Sequence, residues 1–423
     1  MITERTHTAQ QLIDRISSSA AKVNYVSDAL LTSALMYLEQ KGLPTSKHED
    51  YKYCNLDAVL RKEFKNIEQR FLEPKNLAEY KYPDTHRIVV INGAYSEALS
   101  DKELPKGLSV KNLSATNDNE KKLIGSVATV DSDAFVALNT AFSSDGFFLS
   151  IEKNTRIDHP VHVLYVATAE SEAFINTRSF VVLNENASLT LIEEQINTGG
   201  KTFTNYLSEK MIAGGAQLNS CTIQNEGASA YSINTNEAQV AANGKYDNTT
   251  VTLSGQLVRN NHNVKLCGRH GEAHLYGLLS TNGTQLVDNH TLMDHRVPDC
   301  ESNELYKGIV GDKSTGIFNG KIFVRKDAQK TNAYQSSKNI LLSDDATVNT
   351  KPQLEIYAND VKCSHGTSTG KIDENALFYL NARGIGKDTA RKMLLESFAG
   401  EVIEKIQFEP LREKILGLFE SSI

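Results

Sequence analysis

The sequence lacks the features that mark membrane, secreted and nucleic-acid-coating proteins. No apolar run approaches the ~20 residues that a membrane-spanning helix requires. The first ten residues, MITERTHTAQ, contain no apolar signal core. The formal net charge is -7, whereas proteins that coat nucleic acids or anionic membranes concentrate Lys and Arg. These absences predict a cytoplasmic protein that binds neither a membrane nor nucleic acid through bulk charge.

Cysteine is scarce and scattered along the chain. The five cysteines are Cys54, Cys221, Cys267, Cys300 and Cys363. Because no two of them form a C-x-x-C pair, the pattern argues against a disulfide framework, a zinc ribbon and a ferredoxin-type cluster site. A metal or cluster site would therefore need other ligand types, or ligands from a partner.

The signatures of common enzyme classes are also missing. The sequence has no G-x-x-x-x-G-K-[ST] phosphate loop, so this chain is not expected to bind a nucleotide itself. It has no G-x-S-x-G motif and no carboxylate pair that stands out. The residues alone therefore predict no enzymatic activity.

Helical patterns mark both ends of the chain. Residues 8–23 and the segment after Ser27, its expected N-cap, carry apolar residues at helical spacing, and Gly42 follows the second pattern. In the tail, Asp373 can cap a helix that Gly384 ends. Two more helices are expected, one from about 387 and one from about 410 to 420.

Between these ends, from about 135 to 365, the sequence predicts a long series of short strands. Segments such as VHVLYVA, SLTLIEE and GKIFVRK alternate or run apolar over a few residues, and Asn92-Gly93 predicts a hairpin in RIVVINGAY. A turn residue, a small residue, any residue and an apolar residue recur at irregular spacing. This signature lies at 186–189, 215–218, 283–286 and 345–348.

These patterns favour a mainly β fold. We expect a right-handed parallel β-helix core flanked by N-terminal and C-terminal α-helical regions, because solenoids are built from many short strands with tight turns. A β-sandwich, or a pair of sandwiches, is the alternative. The expected boundaries are 1–85, 86–365 and 366–423.

Two histidine motifs offer weak metal sites. His159 and His162 are three apart, so in a strand they would point to opposite faces. His290, His295 and Cys300 would need turns that bring them together, and no fourth ligand is evident. For both motifs, ordinary structural side chains are the alternative.

Cys363 and His365, in VKCSHGTSTGKID, form a third candidate. Two positions apart in a strand, both side chains would face the same side. A thiolate and an imidazole suit iron, copper or zinc. This pair therefore permits a shared ligand site, although two ordinary residues at a strand end would look the same.

The tail contains a glycine-rich turn, Gly384-Ile385-Gly386. It resembles the turn of a helix-hairpin-helix, whose backbone N–H groups bind a DNA phosphate. Cations stand nearby at Arg383, Lys387, Arg391 and Lys392. A helix C-cap followed by a new helix is the alternative. A nucleic-acid-binding protein is thus a second functional hypothesis, and a polysaccharide-acting β-helix enzyme, which would need an acidic cleft, is a third.

Longer segments resemble one known family. GLPTSKHEDYKYCNL at 42–56, together with residues 288–310 and 321–385, is similar to the SufB/SufD family of iron–sulfur cluster assembly proteins. The region 321–385 includes the long string NTKPQLEIYANDVKCSHG. The resemblance covers nearly the whole chain and implies a helical N-terminal region, a right-handed parallel β-helix and a helical C-terminal region.

The resemblance also implies partners. In this family SufD and SufB pair through their β-helix bodies, and each carries one SufC, an ABC-type ATPase, on its C-terminal helices. SufB has an essential cysteine in a segment similar to residues 333–342, where this chain has none. That departure favours the SufD branch, and it implies that SufB contributes the thiolate. The implied function is a scaffold subunit that helps to assemble a cluster and transfer it to apo-proteins. For the chain alone, a homodimer is one alternative.

Site residues follow from the same resemblance. His365 occupies the position of the family's interface histidine, an implied ligand of a transient iron–sulfur cluster shared with SufB, and Cys363 matches a neighbouring cysteine. The implied SufC-docking residues are Phe378, Leu380, Arg383, Met393, Leu394 and Phe398.

Overall fold

The computed structural model describes residues 7–20, 23–67, 74–143, 145–169 and 172–422. The helix expected over 8–23 includes residues 21 and 22, which lie outside the described residues. Within the described ranges, no helix is both long and apolar enough to cross a membrane.

The N-terminal region is helical, as expected from the sequence. Its helices are α1 (His7–Ser19), α2 (Asp28–Lys41) and α3 (Asp57–Leu60). Two further helices, α4 (Asp118–Lys121) and α5 (Ala134–Phe142), lie beyond the expected boundary at 85. Short 3₁₀ turns lie at Glu49–Tyr51, Pro74–Tyr80 and Leu113–Ala115. Ser27 caps α2, because its Oγ accepts a hydrogen bond of 3.2 Å from the backbone N–H of Leu30. Gly42 ends the helix with φ of 66°.

Within the described ranges, twenty strands follow one another along the chain. They are β1 (Lys65–Asn66), β2 (His86–Ile91), β3 (Ala94–Tyr95), β4 (Leu108–Asn112), β5 (Gly146–Ile151), β6 (Val161–Ala167), β7 (Ala173–Leu183), β8 (Ser188–Asn197), β9 (Thr202–Ile212), β10 (Gln217–Asn225), β11 (Ala230–Val240), β12 (Lys245–Ser254), β13 (Leu257–Leu266), β14 (Glu272–Thr281), β15 (Leu286–His295), β16 (Glu301–Val310), β17 (Thr315–Val324), β18 (Asn332–Leu341), β19 (Thr347–Ile356) and β20 (Lys362–Gly370).

From β5 onward, consecutive strands alternate between two sheets. Sheet A has the order β19-β17-β15-β13-β11-β9-β7-β5-β4, and sheet B has the order β20-β18-β16-β14-β12-β10-β8-β6-β2-β3. From β5 onward, each strand pairs in parallel with the strand two positions along the chain. This winding confirms the parallel β-helix, here of about eight turns, and excludes the sandwich alternative.

The turns of the β-helix differ in length, which explains why the sequence shows no clean repeat. Lys245 pairs with Glu272, 27 positions later, whereas Thr315 pairs with Thr347, 32 positions later. The recurring feature is instead the backbone conformation at the turns: Asn186, for example, has a positive φ of 57°. Positive φ is a conformation that Gly and Asn adopt at low cost, so the recurring signature marks the tight turns between the sheets.

One short region was misassigned from the sequence. The strand series was expected to begin near 135, but residues 134–142 form α5, whose Asp133 cap accepts a 2.7 Å hydrogen bond from the N–H of Phe135. Almost every residue of this helix is buried, so its sequence carries no polar face that would reveal a helical period. The hairpin at Asn92-Gly93 is confirmed, with β2 and β3 antiparallel and both φ values positive.

The C-terminal region contains α6 (Glu374–Ala382), α7 (Lys387–Ile403) and α8 (Glu409–Ser422). Helices α7 and α8 pack their apolar faces on the outer face of sheet B. The sequence predicted a stripe through Ala390, Leu394, Phe398 and Val402. Its ends, Ala390 and Val402, are buried as expected, whereas in the middle Leu394 and Phe398 are half-buried and Leu395 and Ala399 are buried instead.

Candidate functional site at the open end of the beta-helix

Cys363 and His365 lie in the last turn of the β-helix. They are the second and fourth residues of β20, aligned with Ala333 and Gln335 of β18, and both lie on the inner face. Cys363 packs against the interior core, whereas His365 is exposed. Strands β19 and β20 are edge strands in the described part of the chain, so the inner face at this end opens outward.

The environment of the thiol keeps it protonated. Partial burial raises the pKa of Cys363, and a hydrogen bond with the backbone of Ala333 only partly offsets this effect. A thiolate is the form that binds metals. Without a cation nearby to lower the pKa, Cys363 is a weaker ligand candidate than the neighbouring imidazole.

The pair does not complete a metal site by itself. Among the described residues, no group of three or more His, Cys, Asp or Glu side chains is placed to hold a metal ion. Structural metal sites in proteins ordinarily use four protein ligands. Any metal or cluster bound at His365 would need further ligands from outside this chain.

Polar side chains continue inward from His365. In register on successive strands lie Glu304 of β16, Gln335 of β18 and His365 of β20. The Nε2 of Gln335 donates a hydrogen bond of 3.0 Å to Glu304, and Thr291 donates one of 2.7 Å to the same carboxylate oxygen. Glu304 is fully buried, and burial raises its pKa to about 7.

No pattern in the sequence singled out Glu304, and Gln335 drew attention only as a position without a cysteine. A signal was available in the strand pattern. Glu304 stands two positions before the inward-facing Tyr306, and Gln335 two positions after the inward-facing Ala333. Polar residues at core-facing positions must be hydrogen-bonded, so they mark either a structural network or a site.

The first histidine motif does not form a site. His159 is exposed, whereas His162 is buried. The Nε2 of His162 lies 3.2 Å from an oxygen of Glu194, which also accepts a hydrogen bond of 2.6 Å from Lys414 of α8 and one of 3.1 Å from Tyr82. His162 thus belongs to a buried network that ties the C-terminal helices to the β-helix.

The second motif is likewise divided. The Nε2 of His290 lies 3.0 Å from an oxygen of Asp288, whereas His295 is buried with Ser302 at 2.9 Å. The Sγ of Cys300 contacts the backbone oxygen of Gly268. These partners differ for each residue, so the structure does not bring His290, His295 and Cys300 together.

The Gly384-Ile385-Gly386 turn is a helix C-cap. Gly384 has φ of 87°, its N–H donates to the carbonyl of Asn381, and the N–H of Ile385 donates to the carbonyl of Leu380. These two bonds define a Schellman motif. Because capping occupies both N–H groups, the geometry favours the C-cap alternative over a phosphate-binding turn.

The residues expected to dock an ATPase divide into two groups. Phe378 is 74% exposed and Met393 43% exposed, and Arg383 is exposed. Leu380 and Leu394 are half-buried. Phe398 already contacts another residue of the chain, since the Nζ of Lys307 lies 4.4 Å from its ring centroid. An apolar, partly basic patch is thus left on α6 and on the start of α7.

The outer face of sheet A also lines a cleft of about 630 Å³. Its carboxylates are those of Asp50, Asp133, Glu237 and Asp294. Glu237 pairs with Lys265 at 3.0 Å and Asp294 with Arg296 at 2.7 Å, and Asp133 accepts a hydrogen bond of 2.7 Å from the hydroxyl of Tyr51. A polysaccharide-cleaving pair would need two free carboxylates as acid and base. Because three of the four are engaged, the cleft does not favour the polysaccharide hypothesis.

Two family models together span most of the chain. The model for the SUF system FeS cluster assembly, SufBD core domain, matches residues 165–398, and that for the SufBD protein N-terminal region matches residues 7–163. The chain belongs to the SufBD family. Its membership assigns it a role in iron–sulfur cluster assembly.

Curated relatives of this SufBD protein agree. The iron-sulfur cluster assembly protein SufD of Escherichia coli is 30% identical over 387 residues, covering 90% of each chain. Protein ABCI7, chloroplastic, of Arabidopsis thaliana is 29% identical over 96% of this chain and 88% of its own. The iron-sulfur cluster assembly protein SufD of Bacillus subtilis is 26% identical over 72% of this chain and 70% of its own.

Proposed function

We propose that this protein is a non-catalytic scaffold subunit of an iron–sulfur cluster assembly complex. It pairs with SufB through the open end of the β-helix, carries the SufC ATPase on its C-terminal helices and hands the finished cluster to apo-proteins. The observation that carries the proposal is the place of His365, an exposed imidazole on the inner face of an uncovered last turn.

The open end supports the pairing. Edge strands present unpaired backbone groups, and such edges readily pair with another chain. Beside β19 and β20, Ile356 and Tyr357 are large and exposed, Tyr357 by 60%. A second β-helix of similar width would cover these groups. In the absence of SufB, a second copy of this chain would do so, giving a homodimer.

The nascent cluster is the cargo of this interface. His365 would supply one ligand, Cys363 a second if its thiol loses a proton, and SufB the remaining thiolates. A half-site of this kind agrees with the lack of any three-ligand group among the described residues. It also lets the cluster leave when the interface opens, which ATP binding by SufC would bring about. The cytoplasmic location expected from the sequence stays a prediction.

The exposed patch on α6 and α7 supports SufC docking. Phe378 and Met393 are large apolar side chains left in solvent, and such patches mark binding surfaces. Phe378→Asp should abolish co-purification with SufC while leaving SufB bound. Met36→Asp on α2, at a residue that is 50% exposed, is the matched control. Normal SufC recovery with Phe378→Asp would place the docking surface elsewhere.

The decisive experiment addresses His365. The complex with SufB and SufC should form normally with His365→Ala, but cluster assembly, followed by the visible absorbance of the cluster and by activation of an apo-ferredoxin, should be lost. His159→Ala replaces another exposed histidine and should assemble clusters like the parent. If His365→Ala also matured clusters at the parental rate, the ligand assignment would be wrong.

A further inference from the structure

Gln335 is held in one orientation by contacts on two sides. Its Nε2 donates to Glu304 at 3.0 Å. On the facing strand β17, Gly320 leaves the space that the amide fills, because a Cβ at that position would lie 2.3 Å from the Nε2 of Gln335. The side chain is only 3% exposed, so this amide cannot rotate without losing its hydrogen bond or striking β17.

The other end of the amide has no partner of its own. The Oε1 of Gln335 is buried and accepts no hydrogen bond from the described residues. A buried carbonyl oxygen without a donor costs about 1–3 kcal/mol, so such atoms ordinarily have a partner or a role. Because Nε2 points to Glu304, Oε1 is the amide atom left to accept a hydrogen bond from the next strand, β20.

The next residue along the ladder is His365. It is the direct neighbour of Gln335 in the parallel pairing of β18 with β20, and paired strands lie about 4.8 Å apart. An imidazole N–H at this position is a donor of the kind that the amide oxygen lacks. Histidine ligands ordinarily donate one ring N–H to such an acceptor, which fixes the tautomer and leaves the other nitrogen for the metal.

We infer that Gln335 is a positioning residue for His365: its amide oxygen accepts the ring N–H and so presents the other ring nitrogen to the open end. Glu304 and Gly320 act one step further back, because they fix the direction of the amide. The inference rests on the proposed function for the identity of the cargo. Among the described residues the Oε1 of Gln335 has no hydrogen-bond partner, so the inferred bond forms when the exposed ring of His365 turns toward it, which requires no cargo.

The tautomer of His365 can be measured in the full-length chain. Ring nitrogens of ¹⁵N-labelled histidine report the tautomer by their chemical shifts, and His365→Gln identifies the signal. At alkaline pH the parent should show one dominant tautomer. Gln335→Met keeps the shape but removes the acceptor, and should reduce the tautomer ratio about fivefold, the change that a hydrogen bond of ~1 kcal/mol produces.

An exchanged pair provides the rescue. In the double variant Glu304→Gln with Gln335→Glu, the amide and the carboxyl trade places, so their mutual hydrogen bond and an acceptor beside His365 both remain. The parental tautomer should return. The ring signal of the deeply buried His262 should stay unchanged in all variants, which shows that the β-helix is intact.

Unchanged ring shifts of His365 in Gln335→Met, with the His262 signal intact, would overturn the inference. So would a double variant that behaves like Gln335→Met, since a merely structural role for the amide predicts no rescue of the tautomer. These outcomes are independent of the cluster assay with His365→Ala, which tests the proposed function alone.

Discussion

The buried carboxyl of Glu304 should make the protein less stable as pH rises, and Glu304→Gln should remove this loss. Burial raises the pKa of Glu304 from 4.5 to about 7. Between these values the folded state keeps a proton that the unfolded state has released. Stability therefore falls as pH increases through this window and levels off above about pH 7.

The size of the effect follows from the shift in pKa. Each unit corresponds to about 1.4 kcal/mol, so the pH-dependent loss amounts to about 3 kcal/mol between pH 4.5 and pH 8. A glutamine at this position has no proton to lose. The stability of Glu304→Gln relative to the parent should then rise by about 3 kcal/mol over the same window, on top of any constant offset from the substitution.

Urea unfolding at several pH values between 4.5 and 8 measures this difference. Glu301→Gln is the matched control, because Glu301 lies on the same strand but is exposed, and its difference from the parent should not change with pH. Glu226, whose pKa burial also raises to about 7, is present in every variant and cancels. A difference for Glu304→Gln that stays flat across the window would refute the reasoning.

Three further changes test other parts of the fold. Lys414→Met removes a cation that is hydrogen-bonded to the buried Glu194. Burial by itself would raise the pKa of Glu194, but its partners outweigh this and hold the pKa below its ordinary value. The variant should therefore be less stable by about 2 kcal/mol at pH 7, and this loss of stability should shrink as pH falls through the pKa of Glu194. Lys307→Met removes the 2.8 Å hydrogen bond to the Phe398 carbonyl and should speed hydrogen exchange in α7 about tenfold. Gly277→Ala places a Cβ 2.2 Å from the Tyr306 ring and should lower stability by about 1–3 kcal/mol.

Each of these changes has its own check. A loss for Lys414→Met that is as large at pH 3 as at pH 7 would mean that the charge of Glu194 is not involved. Lys338→Met is the control for Lys307→Met. It removes a half-exposed lysine whose Nζ lies 3.7 Å from a carboxylate oxygen of Glu401 on α7, and it should leave hydrogen exchange in α7 unchanged. A parental melting temperature for Gly277→Ala would show that the Tyr306 ring moves freely.

The general fold could be predicted from the sequence because strands and turns leave local patterns. Alternation along β8 and the Asn or Gly at several tight turns are properties of short segments, and Ser27 and Gly42 cap α2 with their own atoms. Helix α5 was missed because a helix buried on every side shows no period. On α7 the ends of the expected stripe, Ala390 and Val402, are buried, but its middle residues Leu394 and Phe398 are half-buried, because half-buried and buried positions look alike in the sequence.

The site was predictable only in part. The spacing of Cys363 and His365 places both on one face of a strand, and this needs no tertiary information. The contribution of Glu304 and Gln335 depends on which residues become neighbours on successive turns. Because the turns of the β-helix vary in length from 26 to 32 residues, no fixed offset in the sequence reveals that Glu304, Gln335 and His365 are in register.

The uncovered last turn has a thermodynamic consequence. Strands β19 and β20 end their sheets without a cap in the described part of the chain, so any chain that covers this end binds the folded state and not the unfolded one. Such binding stabilises by mass action. Where a second copy covers this end, as proposed above, the melting temperature of the isolated protein should rise with protein concentration, and its stability values then need a stated concentration and a stated partner.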